Sequence, residues 1–237
     1  MSSACAICNQ DHARLCQRCK SIAYCSKECQ SVDWPCHKLV CAQLAPAAAI
    51  TESESEPGEG EGENPPPPAP PAPPAALTSS SSGDGTRTVR GILFDPDSKH
   101  PRVVPVRCHR HTDDETGVSF QDADVEPYLG VDGAGSERLF AEHNRARGGR
   151  QMQSFVEVWY RPDAPADVPR HDHPELRLNK SVVAATEGKM MRKWEGPVVV
   201  LAMSAASGGI VDPGFYRDVT GVDFRDAVDF LAITTAR

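Results

Sequence analysis

The apolar positions of the 237-residue chain are unevenly spread, and most continuous apolar runs fall after residue 86. The run at 154–160 alternates, so that Val156, Val158 and Tyr160 share one face of a predicted strand. Glu157 lies on the opposite face. Runs with the length and composition of strands occur at five places: 89–94, 103–107, 154–160, 181–185 and 197–203.

A helical period replaces this pattern near the C-terminus. We expect Asp223 to cap the helix, with Asp226 at the capping-box position. Strands followed by a helix are typical of an α+β fold, which we predict for a C-terminal domain over 87–237. The side chains that form the apolar stripe of the helix are Phe224, Ala227, Val228 and Leu231.

The segment 46–86 has the composition of a linker. Glu alternates with Ser or Gly in its first part, and ten residues at 65–74 are Pro or Ala. Such a segment buries too little apolar surface to offset chain entropy, which predicts a disordered acidic and proline-rich linker. The proline tract predicts a polyproline II rod about 30 Å long. We interpret it as a spacer, although it also suits a groove lined with aromatic side chains.

The first 41 residues hold eight of the nine cysteines. A pair three positions apart in the sequence fits a tight turn, and a pair four positions apart fits one helix face. The spacing therefore predicts two short helices, capped by Ser26 and Asp33. The spacing alone does not decide which pairs share an ion. Four pairs of soft ligands match two tetrahedral zinc ions: Cys5-x2-Cys8, Cys16-x2-Cys19, Cys25-x3-Cys29 and His37-x3-Cys41.

The predicted zinc sites are structural. Protein side chains fill all eight coordination positions, whereas a catalytic zinc keeps one position for water. Cys36 is the spare cysteine, because it points about 100° away from its neighbour His37 on a helix. A segment of this size with few large apolar residues needs the metal to fold, so residues 1–45 form a zinc-dependent finger.

Charge and composition reduce the classes of function and location that the chain fits. The chain has 25 Lys and Arg against 33 Asp and Glu, which argues against nucleic-acid binding. We find no secretory signal and no apolar stretch of membrane-spanning length. An intracellular, reducing location is expected, where clustered cysteines indicate metal. The sequence does not distinguish nucleus from cytoplasm.

The finger resembles the MYND-type zinc finger over residues 5–41. The likeness rests on the eight ligands with the segments 24–30, Tyr-Cys-Ser-Lys-Glu-Cys-Gln, and 33–41, Asp-Trp-x2-His-Lys-x2-Cys. The resemblance implies a cross-brace in which the two zinc sites interleave. It assigns one ion to Cys5, Cys8, Cys25 and Cys29, and the other to Cys16, Cys19, His37 and Cys41.

The same resemblance implies a role in protein–protein interaction. Some fingers of this family bind Pro-x-Leu-x-Pro peptides, and their groove residues correspond to Gln30 and Trp34. Packing against the zinc framework is an equally weighted interpretation of Trp34. The chain contains no complete motif of this type, since Pro127-Tyr-Leu129 is followed by Val131 at the last position.

The C-terminal domain resembles the corresponding region of fungal MYND-domain proteins. The likeness rests on segments 89–94, 178–182 and 194–200, and it implies no activity. The function of residues 87–237 is therefore open.

Two enzymatic alternatives compete with an interaction role. Some MYND proteins are lysine methyltransferases with a SET domain, but the Asn-His-x-Cys motif of that domain is absent downstream of the finger. A hidden site would need histidine clusters such as 108–111 and 171–173, which we expect to be surface residues. We predict a non-enzymatic, zinc-dependent interaction factor with no catalytic residues. We also expect finger and C-terminal domain to fold independently, held apart by the linker.

Overall fold

The computed structural model describes residues 4–46, 85–117, 119–130, 135–162, 177–204 and 215–235. Nearly all of the predicted linker at 46–86, including its proline tract, lies outside these ranges, so its predicted disorder stays a prediction. No helix within the described ranges is both long and apolar enough to cross a lipid bilayer.

The finger contains a small two-stranded sheet and one helix. Strand β1 (Arg14–Leu15) pairs antiparallel with β2 (Ala23–Tyr24), and α1 (Lys27–His37) follows. Helix α1 begins at Ser26, whose hydroxyl accepts a hydrogen bond from the N–H of Cys29 at 3.3 Å. This bond satisfies one of the free donors of the first helical turn, and the predicted cap is confirmed.

The finger has one helix where the spacing predicted two. Asp33 does not begin a second helix but lies buried inside α1. Its carboxylate accepts a hydrogen bond from the hydroxyl of Tyr24 at 2.5 Å, so it does not cap a helix. After His37 the chain continues in tight turns, in which the N–H of Cys41 donates to the carbonyl of His37 at 3.0 Å. His37 and Cys41, the pair predicted on a second helix, therefore lie at the end of α1 and in the turns that follow it.

A seven-stranded antiparallel sheet forms the C-terminal domain. The strand order is β5-β4-β3-β8-β7-β6, and β9 pairs with the free part of β8. The predicted α+β class is confirmed in a β-rich form. In chain order the elements are β3 (Thr86–Phe94), β4 (Arg102–Thr112), β5 (Ser119–Asp124), α2 (Glu126–Leu129), β6 (Glu137–Asn144), a short 3-10 helix (Arg145–Arg147), β7 (Arg150–Tyr160), α3 (Lys180–Ala185), β8 (Val198–Ser204), β9 (Tyr216–Arg217) and α4 (Gly221–Ile233).

Four of the five predicted strands correspond to β3, β4, β7 and β8, and the fifth is wrong. Residues 181–185 form α3, because Asn179 caps a helix there by accepting from the N–H of Val182 at 2.9 Å. The side-chain amide of Asn179 also donates hydrogen bonds to the carbonyls of Phe94 and Gly196, at 2.8 and 2.7 Å. A short apolar run suits a strand or a buried helix, and the buried cap selects the helix.

The end of the chain forms the predicted helix with a different cap. Thr220 is the N-cap of α4, and Asp223 is the third helical residue, whose side chain accepts from the N–H of Thr220 at 2.8 Å. The predicted roles of Asp223 as cap and Asp226 as capping-box residue are therefore wrong. Asp226 instead accepts a hydrogen bond from the amide of Asn144 at 2.6 Å, which ties α4 to β6.

Apolar packing covers both faces of the sheet. The first face, which includes Phe94, Val158 and Val200, packs against α3, α4 and the finger. The second face packs around Leu201 and Tyr216. The stripe predicted on α4 is fully buried against the first face: Phe224, Ala227, Val228 and Leu231.

The finger packs directly on the first face, which corrects the expectation of two parts held apart. Ile22 and Val40 of the finger belong to the same apolar cluster as Phe224 of α4. Gln43 adds two hydrogen bonds: its amide donates to the carbonyl of Pro101 at 2.9 Å and accepts from the N–H of Val103 at 2.8 Å. The two parts therefore share one core.

Close approach of backbones at this contact requires a glycine. The N–H of Gly221, the first residue of α4, donates to the hydroxyl of Ser21 at 3.2 Å. A Cβ at position 221 would lie 2.9 Å from the Cβ of Ile22, closer than two such atoms can pack. Any other residue at 221 would push the finger away from α4.

A buried ion-pair network spans the same interface. Arg225 of α4 donates to Asp33 of the finger at 3.2 Å and to Asp229 at 2.5 Å. The side chains of Arg225 and Asp33 are 11% and 1% exposed. Arg147 also pairs with Asp229, at 2.9 Å. Each carboxylate in this network has a cation beside it, as burial of charge requires.

We predict that Arg225→Ala destabilises the whole protein, because it leaves Asp33 buried without its cation and leaves Asp229 with Arg147 alone. Removing one partner of a buried pair costs about 3–5 kcal/mol. Thermal unfolding followed by circular dichroism measures the loss. The control is Arg102→Ala, whose pair with Asp95 is exposed and contributes about 1 kcal/mol at most. Equal melting temperatures for the two variants would contradict the interface.

Candidate metal centre

The first ligand cluster joins the N-terminal turn to the start of α1. Cys5 and Cys8 lie in a turn in which the N–H of Asn9 donates to the carbonyl of Cys5 at 2.9 Å. Cys25 follows β2 directly, and Cys29 lies in the first turn of α1. All four sulfur atoms of this cluster lie within 4.8 Å of one another.

The spacing of these sulfurs fits one zinc ion. Cys8 lies 3.4 Å from Cys25 and 3.8 Å from Cys29, and Cys25 lies 3.6 Å from Cys29. A tetrahedral ion with Zn–S bonds of about 2.3 Å places its sulfurs about 3.8 Å apart. All four cysteines are free, and these separations are far longer than a disulfide bond.

The second ligand cluster lies deeper, where the turn at Cys16 and Cys19 meets the end of α1. All four of its residues are buried, and their donor atoms lie within 4.8 Å of one another. Cys16 lies 3.9 Å from Cys41, and the Cys19 sulfur lies 3.7 Å from Nε2 of His37. Nε2 is therefore the ligand atom of the histidine. The interleaved assignment implied by the resemblance is confirmed in both clusters.

The protonation of these ligands depends on a cation. Burial by itself raises the pKa of Cys5, but the N–H groups of Cys8, Cys25 and Ile7 donate to its sulfur and the net pKa falls to about 6. The hydrogen bond with Cys8 raises the pKa of Cys25 to about 12. Four sulfurs this close cannot all ionise alone, because like charges oppose each other. A divalent ion removes that conflict.

His37 is prepared for binding by its surroundings. Burial lowers the pKa of its imidazole and so favours the neutral form, which is the form that binds metal. The ring lies against two aromatic side chains, with centroids 6.1 Å from Tyr24 and 5.9 Å from Trp34. Bound zinc would hold the His37 ring, against which Trp34 packs.

The ligand sets determine what metal can do here. Bound zinc would cross-link a turn to α1 at each cluster, with four protein ligands and no position for water. Such sites stabilise a fold by about 10–16 kcal/mol of apparent binding free energy. The spare Cys36 is buried at the contact with the C-terminal domain, near Arg225, and burial raises its pKa to about 12. Cys36 is thus a packing residue.

Comparison with known proteins agrees with this geometry. The family model of the MYND finger matches residues 5–41. Residues 5–41 are a MYND finger. MYND fingers are commonly protein-interaction modules, and the two clusters fit the two zinc ions of the family.

Three curated proteins share the MYND finger. The Drosophila melanogaster "Zinc finger MYND domain-containing protein 10 homolog" is 51% identical over 37 residues, 16% of this chain and 8% of that protein. The Schizosaccharomyces pombe "SET domain and MYND-type zinc finger protein 6" is 44% identical over 46 residues, 19% and 10%. The Caenorhabditis elegans "Dauer abnormal formation protein 25" is 51% identical over 41 residues, 17% and 10%.

The comparisons are confined to the MYND finger. This chain aligns with a tenth or less of the length of these relatives. No solved structure matches it significantly. The resemblance of the C-terminal domain to fungal proteins stays a prediction, and the comparisons assign no function to that domain.

The predicted peptide-binding residues lie one helical turn apart on α1. Gln30 is half-buried, and Trp34 is 43% exposed although it packs against His37. The contact with His37 agrees with the packing interpretation of Trp34, and the peptide-binding interpretation stays a prediction. The incomplete peptide motif of the chain itself lies in α2, where Leu129 is buried.

The histidines of β4 are surface residues, as expected, but the expectation is wrong for Cys108 of the same cluster, which is buried in the second face of the sheet. His111 pairs with Asp122 at 3.3 Å and stacks on Phe120, and His109 lies 3.3 Å from the hydroxyl of Thr86. Within the described ranges they belong to no cluster of metal ligands. The second predicted cluster, at 171–173, lies outside the described residues.

The sequence did not predict one buried polar cluster on the second face of the sheet. Glu157 is 1% exposed and accepts hydrogen bonds from the hydroxyl of Tyr216 at 2.5 Å and the indole of Trp159 at 2.8 Å. Burial raises the pKa of this carboxyl. A glutamate that alternates with apolar residues normally indicates that its side of the strand faces solvent. Only the three-dimensional contacts therefore reveal this cluster.

We predict two zinc ions per chain, measured by native mass spectrometry. Cys41→Ala removes a ligand of the second cluster and should leave one tightly bound ion. Cys36→Ala is the matched control, since this neighbouring cysteine is not a ligand, and it should retain both ions. A single ion in the unaltered protein, or loss of zinc from the control, would contradict the assignment.

Proposed function

We propose that the protein is a non-enzymatic interaction factor whose MYND finger recruits partners through short proline-containing motifs. The observation that supports this most is the division of α1 into two sides. Asp33 and Cys36 face the C-terminal domain and are buried, whereas Trp34 keeps almost half of its surface exposed. Within the described ranges, the docked finger leaves Trp34 exposed and Gln30 half-buried on the other side of the helix.

The chemistry of that side suits an extended peptide. A tryptophan whose position is fixed offers a flat apolar surface on which a proline ring packs at little entropic cost. Trp34 is fixed in this way by the zinc ligand His37. Gln30 brings an amide that can donate to and accept from peptide groups. These properties support Pro-x-Leu-x-Pro segments as the ligand class.

The non-enzymatic part of the proposal rests on the ligand sets. Both clusters use four protein ligands, which suits structural zinc. The relative named for a SET domain aligns over 46 residues only, so the likeness concerns the finger. We propose an intracellular location, because seven zinc-binding thiols favour a reducing compartment. The partner is a protein, with neither nucleic acid nor membrane involved.

We expect an amide NMR titration of the zinc-loaded full chain with a Pro-x-Leu-x-Pro peptide to shift the Gln30 amide and the Trp34 indole. The shifts should be confined to α1 and its neighbours, because the opposite side of the helix is buried. Trp34→Ala should abolish them, since it removes the apolar surface on which the peptide packs.

The control for this titration is Leu15→Ala, which removes another exposed apolar side chain of the finger. It should leave the shifts unchanged. A folded, zinc-loaded protein without shifts at Gln30 and Trp34 would contradict the proposed ligand class. It would direct the search for partners to the C-terminal domain.

A further inference from the structure

Strand β6 forms one end of the sheet. It pairs with β7 on one side, and within the described ranges no strand pairs with its other side. In an edge strand every second residue directs its N–H and C=O outward, and these groups can pair with an added strand. A groove of about 990 Å³ runs along β6 and is bounded by Tyr160, Phe230 and Ile233. The edge thus opens onto a concave surface.

The side chains of β6 are complementary to a reversed copy of the same strand. The segment 137–143 reads Glu-Arg-Leu-Phe-Ala-Glu-His. When two such strands run antiparallel with Phe140 at the centre, Arg138 faces Glu142 and Leu139 faces Ala141. Glu137 faces His143 in the same arrangement. Opposite charges that face each other across strands stabilise the pairing, and like charges destabilise it.

The pairing of β6 with β7 is regular from Glu137 to Ala141, and its register shifts between Ala141 and His143. A two-fold axis through Phe140 pairs each residue with one that lies equally far from the centre on the other copy. The two residues of a pair then belong to the same alternate set along the strand. Residues whose backbone N–H and C=O groups point away from β7 on one copy therefore meet the same kind of residue on the other copy. This holds whichever alternate set of residues points away from β7.

The central side chains are exposed and positioned at the edge. Phe140 is 51% exposed, an uncommon state for a phenylalanine. The guanidinium of Arg138 lies 5.3 Å from the centre of the Phe140 ring and 5.5 Å from that of Trp159. Arg138 also lies 3.6 Å from the buried carboxylate of Glu157, and together these contacts position the cation at the edge, with half of the side chain exposed.

We propose that the protein forms a symmetric dimer in which the β6 strands of two copies pair antiparallel about Phe140. The sheets of the two copies then join into one continuous sheet, with both MYND fingers on the same side. Each copy contributes Arg138 to one charge pair and Glu142 to the other. This surface is separate from the peptide-binding side of α1, and the proposal does not depend on the function of the finger.

The charge pairs can form only between copies. Arg138 and Glu142 are four residues apart on an extended strand, which separates their Cα atoms by about 14 Å. Any dependence of one side chain on the charge of the other therefore reports contact between two molecules.

The experiment measures dimerisation of the full chain by analytical ultracentrifugation. The unaltered protein should sediment with twice the 25.6 kDa mass of one chain at high concentration. Arg138→Glu and Glu142→Arg each place like charges opposite one another twice, and each should weaken dimerisation about tenfold or more. The control Arg102→Glu reverses an exposed charge on β4 and should leave dimerisation unchanged.

Mixing the two β6 variants completes the test. In the mixed pair, the carboxylate introduced at position 138 of one chain would face the guanidinium introduced at position 142 of the other. Heterodimers should therefore form although each variant alone is monomeric. Circular dichroism checks that each variant is folded, and Glu142→Arg avoids the contact of Arg138 with Glu157. A monomeric unaltered protein, or a dimer insensitive to both reversals, would overturn the proposal.

Discussion

The buried pair between Asp33 and Arg225 is the contact on which the arrangement of the whole protein depends. Asp33 belongs to the same helix as the zinc-site residues Cys29 and His37, and Arg225 belongs to the helix that covers the sheet. Asp33 is 1% exposed, and a carboxylate buried to this extent without its cation is strongly unfavourable. The pair therefore permits one relative position of finger and sheet. The close backbone approach at Gly221 enforces the same position.

This docking separates the surfaces of the protein by role. One side of α1 holds the finger on the sheet, and on the other side Trp34 is exposed among the described residues. Bound zinc would act on both sides of α1, because its ligand His37 contacts Trp34 and the same helix carries Asp33. At the far end of the sheet, β6 offers a second surface with its own charge pattern. If both proposals hold, a dimer would present two fingers together and so raise the apparent affinity for a partner that carries two binding segments.

The sequence predicted the zinc ligands well because their spacing is local: a turn pair and a helix-end pair are each made within five residues. It also predicted most strands, whose apolar runs are long. It misassigned 181–185, where the decision rests on Asn179 bonding two distant carbonyls. It could not predict the docking of the finger, since Asp33 and Arg225 are 192 positions apart. Nor could it predict the buried Glu157, whose partner Tyr216 comes from another strand. Contacts of this kind depend on the complete fold.

The central claim is that the zinc-bound finger and the C-terminal sheet form one structural unit. Hydrogen exchange of the full chain, followed by mass spectrometry with and without a zinc chelator, tests it most directly. If the claim holds, zinc removal speeds amide exchange in α4 around Gly221 and Arg225 as well as in the finger, because unfolding of residues 5–41 removes the packing on that helix. Faster exchange confined to the finger, with α4 protected as before, would contradict the claim and restore two independent parts.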